Sequence, residues 1–175
     1  MALFRHCPTC GSDCFRPSSP KSCRCEACGF ELFMNASSAN AALIVCEGRL
    51  LVVRRQNEPA RGTLDLPGGF ADMGETAEEG VCREVMEETG LRVTRADYLF
   101  SLPNLYIYSG LTLPTLDLFF RCEVADAGDL RAADDAAEAL WVPLADVCPE
   151  AFGLDSIRRG VARFLQLSSP QPYRP

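Results

Sequence analysis

Glu84, Glu87 and Glu88 stand at i, i+3 and i+4, so on a helix their carboxylates project from one face. Three like charges in one patch repel, and a helix keeps them at little cost only when something positive fills the space between. Hard divalent cations, which take oxygen ligands, are the natural occupant. Arg83 lies beside the cluster, and helical spacing offers it Glu79 one turn earlier, an exposed contact worth about 0.3 kcal/mol.

A second cluster has softer chemistry. Cys7-Pro8-Thr9-Cys10 and Cys25-Glu26-Ala27-Cys28 are two C-x2-C knuckles separated by 14 residues. Each brings two thiolates together, and the two knuckles supply a closed tetrahedral S4 site, the pattern of structural Zn2+. A mononuclear iron site uses the same ligands but is second to zinc on ligand type and ribbon-like spacing. Four closed ligands leave no position for a substrate, so this metal supports structure; a role in pairing two subunits as a homodimer is left open. A segment of about thirty residues cannot build an adequate core alone, so metal binding supplies most of its folding free energy. Cys23 competes with Cys25 as a ligand at the cost of the paired spacing, and His6 reads as a surface residue.

The elements that position these groups follow from periodicity. Phe33 to Asn40, small and polar, reads as a linker. Ala41–Cys46 and Leu50–Arg55 are apolar runs around Glu47-Gly48-Arg49, the pattern of a hairpin. Thr63–Leu66 reads as a short strand leading into Pro67-Gly68-Gly69. Thr76 and Glu79 form a T-x-x-E capping box, and the helix that follows runs to Thr89 and stops at Gly90. Tyr98–Ser101, Leu116–Val124 and Ala139–Val142 read as strands. Ile157, Val161, Phe164 and Leu165 mark a second amphipathic helix, and Ser168–Pro175 a loose tail. Strands mixed with two helices predict an α/β sandwich.

The 175 residues carry 17 Lys+Arg against 24 Asp+Glu, a formal net charge of −7. This balance argues against a nucleic-acid partner or an anionic membrane, both of which are gripped by clustered Lys and Arg. The charge is uneven, with −6 between Gly69 and Leu91, −5 between Glu123 and Glu138, and +4 on the remainder. The first focus contains the Glu84, Glu87 and Glu88 cluster, and divalent cations bound there would turn an acidic patch into a receptor for phosphates. The N-terminus lacks an apolar leader and no run is long enough to span a bilayer. Cysteines crowded into one metal-like cluster, with Cys46, Cys82, Cys122 and Cys148 scattered among apolar residues, fit a reducing compartment. A cytoplasmic protein is expected.

Gly69, Glu75, Arg83, Glu84, Val85, Glu87, Glu88, Gly90 and Leu91 fit G-x5-E-x7-R-E-U-x-E-E-x-G-U, U being apolar, without a mismatch. This pattern resembles the Nudix box, and the resemblance implies an α/β/α sandwich that hydrolyses a nucleoside diphosphate linked to another moiety with Mg2+ or Mn2+. It implies that Glu84, Glu87 and Glu88 bind the metal with the carbonyl of Gly68, and that Glu75 rather than Glu79 pairs with Arg83. Water attacks a phosphorus of the pyrophosphate, and a carboxylate takes its proton. Glu84 and Glu138 are both candidates for that base, Glu138 because it precedes Trp141 by three residues; Asp134 and Asp135 read as a solvated loop. Arg54 or Arg55, alternating at a strand end, meets a phosphate, since only one can face the pocket. Tyr106 and Tyr108 are candidates to stack on a base.

The four-cysteine ribbon before the box is similar to that of the NADH pyrophosphatase branch, implying NAD(H)-like dinucleotides or ADP-ribose as substrates. That branch's S-Q-P-W-P-F-P-x-S segment corresponds here to Ser101–Ser109, which keeps the flanking serines and Pro103 but not the Trp-Pro-Phe-Pro core. The expected domains are a zinc ribbon over 1–33, a Nudix domain over 36–168 and a tail over 169–175. The competing class is a nucleotide-binding or regulatory module that keeps the fold without catalysis. An intact carboxylate cluster argues against it, because a pure binder has no need of one.

Overall fold

The computed structural model describes residues 4–134 and 136–168. The chain divides into two compact units, residues 4–36 with Ser109–Leu111, and the rest of the described chain.

In the first unit, β1 (Phe15–Ser19), β2 (Ser22–Cys25) and β3 (Glu31–Phe33) form an antiparallel three-stranded sheet. Its core is small, consisting of Cys7, Phe15, Cys23 and Cys25 with Phe30 and Leu32 packed against them. So little apolar surface is marginal for independent stability.

The second unit is built on β4 (Ser37–Cys46), β5 (Arg49–Arg55), β6 (Leu64–Asp65), β7 (Val93–Tyr108), β8 (Leu111–Val124) and β9 (Ala136–Pro143). The order is β6-β5-β4-β8-β7, with β9 antiparallel to β5. β4 and β5 make the expected hairpin, Val45 facing Leu50 and Cys46 facing Arg49. Residues 37–40, expected as linker, instead belong to β4, which runs parallel to β8 from Ser37↔Thr115 to Ile44↔Cys122. Small polar residues are accommodated there because neighbouring strands satisfy their backbone. β7 is likewise far longer than the expected Tyr98–Ser101.

α1 (Ala77–Thr89) starts with the expected capping box, Thr76 accepting from the Glu79 amide and Glu79 from the Thr76 amide, and ends at Gly90 with φ 70°. α2 (Asp155–Ser168) buries Ile157, Val161 and Phe164. Alternation along β4 divides the core between the helices. Ala42 and Ile44 pack with Val81 and Val85 of α1, while Ala41 and Leu43 pack with Ile157, Val161 and Phe164 of α2. The result is a mixed sheet between two helices. Ser168 closes α2; the rest of the expected tail, 169–175, lies outside the described residues. No helix among the described residues is long and apolar enough to cross a membrane.

Candidate active site

The loop after β6 and the first turns of α1 organise the carboxylates. Gly68 has φ 153°, and a Cβ there would fall 2.0 Å from the Asn40 carbonyl oxygen, so only glycine lets the loop lie this close to β4. Asn40 N–H donates to the Gly69 carbonyl at 2.7 Å, and Gly68 N–H donates to Glu88 Oε2 at 3.0 Å. Glu88 is thereby held although it is buried.

Arg83 is the hub. Its Nε and Nη2 grip Glu75 at 3.1 and 2.8 Å, Nη2 also donates to the Phe70 carbonyl, and Nη1 donates to Glu84 at 2.8 Å and Glu87 at 2.9 Å. All five guanidinium N–H donors therefore have acceptors. The pairing with Glu75 is present and that with Glu79 is not, because Glu79 is spent on the helix cap. Hydrogen bonds from Arg83, with the Asp72 amide adding to them, pull the Glu75 carboxyl down to about 2. Burial pushes the Glu84 carboxyl above the usual range, against Arg83 and with repulsion from Glu87 and Asp134.

Because its pKa is depressed in the folded state, Glu75 contributes stability that is complete above its ordinary value of 4.5 and is lost as pH falls from there towards about 2. Urea midpoints of the native protein and of Glu75→Gln should differ at pH 7 and converge as pH falls through that window. A gap that does not change with pH would contradict this.

Gly80, inside α1, leaves the room behind Glu75 that its carboxylate and the Asn40 amide occupy. A Cβ there would lie 2.5 Å from Asn40 Nδ2 and 2.7 Å from Glu75 Oε1. Asn40 is buried, and neither its amide nitrogen nor its amide oxygen has a hydrogen-bond partner among the described residues. Gly80→Ala gains about 1 kcal/mol of helix propensity, which offsets the shift of two side-chain ends. Its melting temperature should move little. Its hydrolytic rate should fall about tenfold, because Glu75 no longer orients Arg83; unchanged turnover would show that Glu75 tolerates the displacement.

These groups open on a cavity of about 640 Å3, lined on the α1 side by Arg83, Glu84, Glu87 and Glu88. Gly68, Arg55, Tyr106 and Tyr108 also line it, so the structure brings these candidates together. Tyr106 packs edge-to-face on Phe70 at 5.4 Å, and its hydroxyl accepts from Arg55.

Arg54 and Glu138 do not join them. They face each other across β5 and β9 and form an ion pair at 2.9 Å, with Arg54 Nη1 on the Gly62 carbonyl, and neither lines the cavity. Glu138, expected as a further ligand or base, is placed by its strand register on Arg54 and not beside the carboxylate cluster. A register shift between Arg54 and Arg55 turns Arg55 onto Asp65 instead.

Asp134, expected in a solvated loop, lines the cavity, and Asp135 lies outside the described residues. Asp65 and Asp117, not singled out from the sequence, are buried in the cavity wall. The signal was there, in acids set between leucines within apolar strands, Leu64-Asp65-Leu66 and Leu116-Asp117-Leu118.

In the first unit, Cys7, Cys10, Cys25 and Cys28 place their sulfurs within 4.8 Å of one another, the group among the described residues that could hold a metal ion. Cys7 to Cys28 and Cys10 to Cys25 are each 3.7 Å apart. Tetrahedral Zn–S bonds put sulfurs about 3.8 Å apart, whereas a disulfide needs about 2.05 Å. Cys23 is buried in the small core outside this group, and His6 is exposed. The three glutamates are not so contracted, since Arg83 draws Glu84 and Glu87 while Gly68 N–H holds Glu88.

The family model described as NUDIX domain matches residues 34–164, and the chain belongs to the Nudix hydrolase family. It is 32% identical over 137 residues to the ADP-ribose pyrophosphatase of Methanocaldococcus jannaschii, covering 77% of this chain and 78% of the relative. It is 26% identical to the NAD-capped RNA hydrolase NudC of Stutzerimonas stutzeri along the whole of this chain, which spans only 62% of that relative's length. A NUDIX hydrolase from Nitrosomonas europaea shares the fold with a TM-score of 0.73 at 21% identity, over 94% of this chain and 92% of that one.

Proposed function

We propose that this chain hydrolyses the pyrophosphate bond of a nucleoside diphosphate linked to another moiety, with ADP-ribose and NAD-type dinucleotides as its substrates. The observation that carries this reading is the convergence of Glu84, Glu87 and Glu88 on a cavity wall, braced by Arg83, Glu75 and the Gly68 amide. Carboxylate oxygens on one helix face are a hard donor set that suits Mg2+ or Mn2+, with the Gly68 carbonyl as a further ligand. The sulfur distances in the ribbon suit Zn2+ held by Cys7, Cys10, Cys25 and Cys28.

When bound, a divalent cation polarises phosphoryl oxygens and lowers the pKa of the attacking water. The chain's own residues do the rest. Arg83 and Glu75 hold Glu84 and Glu87 in place. Glu84, whose proton affinity burial raises, is the carboxylate suited to take the proton from water. Arg55, fixed by Asp65 at 2.5 Å, offers a cation beside the cavity for the substrate's phosphates. Tyr106 and Tyr108 supply flat surfaces for a base.

The names of two relatives support the substrate classes, one an ADP-ribose pyrophosphatase and the other acting on NAD-capped RNA. The test is a hydrolysis screen of ADP-ribose, NADH, NAD, FAD, dinucleoside polyphosphates, nucleoside triphosphates and an NAD-capped RNA, with Mg2+ or Mn2+. Turnover of ADP-ribose or a dinucleotide is expected; no turnover of any substrate would sink the reading.

A further inference from the structure

One buried acid of the cavity wall has no part in the phosphate chemistry proposed above. Asp117 on β8 is 5% exposed and lines the cavity. Its Oδ1 accepts from the Thr115 hydroxyl at 2.6 Å, and its Oδ2 accepts from the Ser156 hydroxyl of α2. Asp65, 7% exposed, lies near enough for the two charges to act on one another. Two buried carboxylates thus share this wall with one guanidinium, that of Arg55. Its bonds go to Asp65, the Pro59 carbonyl and the Tyr106 hydroxyl. Among the described residues Asp117 has no ion pair.

A desolvated carboxylate is costly unless donors surround it. The two hydroxyls are neutral donors, and each takes one acceptor position, leaving each oxygen of Asp117 capacity for another. A further donor on either oxygen would have to reach it from the cavity that Asp117 lines.

Position and surroundings say which donor. Asp117 faces Ala39 of β4 in the parallel register. Phe119, two residues on, packs in the α2 core, whereas Phe120 packs in the α1 core. Asp117 therefore belongs to the α2 face of the sheet, and the glutamates belong to α1 on the other. A ligand with its phosphates at α1 extends its far end to Asp117, past the Phe70 and Tyr106 rings and towards Leu154 and Ile157. Rings and aliphatic side chains suit a flat base, and a carboxylate at its edge suits an N–H donor.

We propose that Asp117, held by Thr115 and Ser156, selects an exocyclic amino group on the ligand's base, so that the cavity takes adenine-type nucleotides over those without that amine. The orientation of the ligand rests on the pyrophosphohydrolase reading above, but the test does not require turnover.

Calorimetric titration of the full chain with three monophosphates isolates the contact: AMP, purine riboside 5′-monophosphate, which lacks the amine, and N6,N6-dimethyl-AMP, whose amine has no N–H. AMP should bind about 10- to 100-fold more tightly than either of the others, as expected for a hydrogen bond to a charged acceptor. In Asp117→Asn that ratio should drop to about threefold or less, since the charge is gone. Equal binding of the three by the native protein, no measurable AMP binding, or an unchanged ratio in Asp117→Asn would overturn the assignment. Should the variant not fold, the comparison of ligands on the native protein decides alone. Discrimination without hydrolysis of any pyrophosphate would refute the enzymatic reading and leave this one standing; hydrolysis of ADP-ribose with equal monophosphate affinities would do the reverse.

Discussion

Glu88→Gln is expected to lower kcat/KM on ADP-ribose by roughly 10²- to 10³-fold with saturating Mg2+, the scale of losing one preorganised electrostatic contact at a reacting phosphate. The substitution keeps the shape of the side chain, and its amide oxygen can still accept from Gly68 N–H, which the native carboxylate meets at 3.0 Å. The loop and helix therefore keep their arrangement, and circular dichroism and the melting temperature should hardly change. What is removed is one negative charge at a buried position beside the cavity. The loss should appear in kcat as well as in KM for the metal, measured by titrating Mg2+ at fixed substrate. Full activity in Glu88→Gln would remove the glutamate cluster from the mechanism.

The second large effect concerns the ribbon. Structural Zn2+ sites contribute on the order of 10–16 kcal/mol of apparent binding free energy, far beyond what the core around Cys7, Phe15, Cys23 and Cys25 supplies. Cys25→Ser removes a sulfur that is 1% exposed and 3.7 Å from Cys10. The purified native protein should contain one zinc per chain, and the variant less than about a tenth of that. Limited proteolysis should then cut the variant within residues 4–36, as it should the native protein after a strong chelator. Stoichiometric zinc in Cys25→Ser would contradict the four-sulfur site, and stoichiometric iron in the native protein would reassign the metal.

The parts of the site that were legible in the sequence are local ones. α1 was readable because its cap, its stop at Gly90 and its Glu84, Glu87 and Glu88 face all lie within one turn-by-turn register. The cysteine group was readable because each knuckle closes over four residues. The hairpin of β4 and β5 needs only a tight turn. What escaped depends on which strand lies beside which. Arg54 and Glu138 are 84 residues apart, and only the pairing of β5 with β9 makes them partners. Residues 37–40 look like linker until β8 lies alongside them. Asp117 is an unremarkable acid until α2 brings Ser156 onto it. Long-range β pairing, and the burial it causes, is not encoded in any short window of residues.

Arg83 has one more consequence. Four carboxylates lie within 4.0 Å of its single guanidinium, Asp72 being the fourth at 3.7 Å, so one positive charge orders the acidic patch but leaves it net negative. On the proposed reading, an arriving cation would meet carboxylates that Arg83 already holds in place, and would offset the negative charge that Arg83 leaves. The ligands are thus arranged before any metal arrives, on a helix whose cap and stop are set by its own residues.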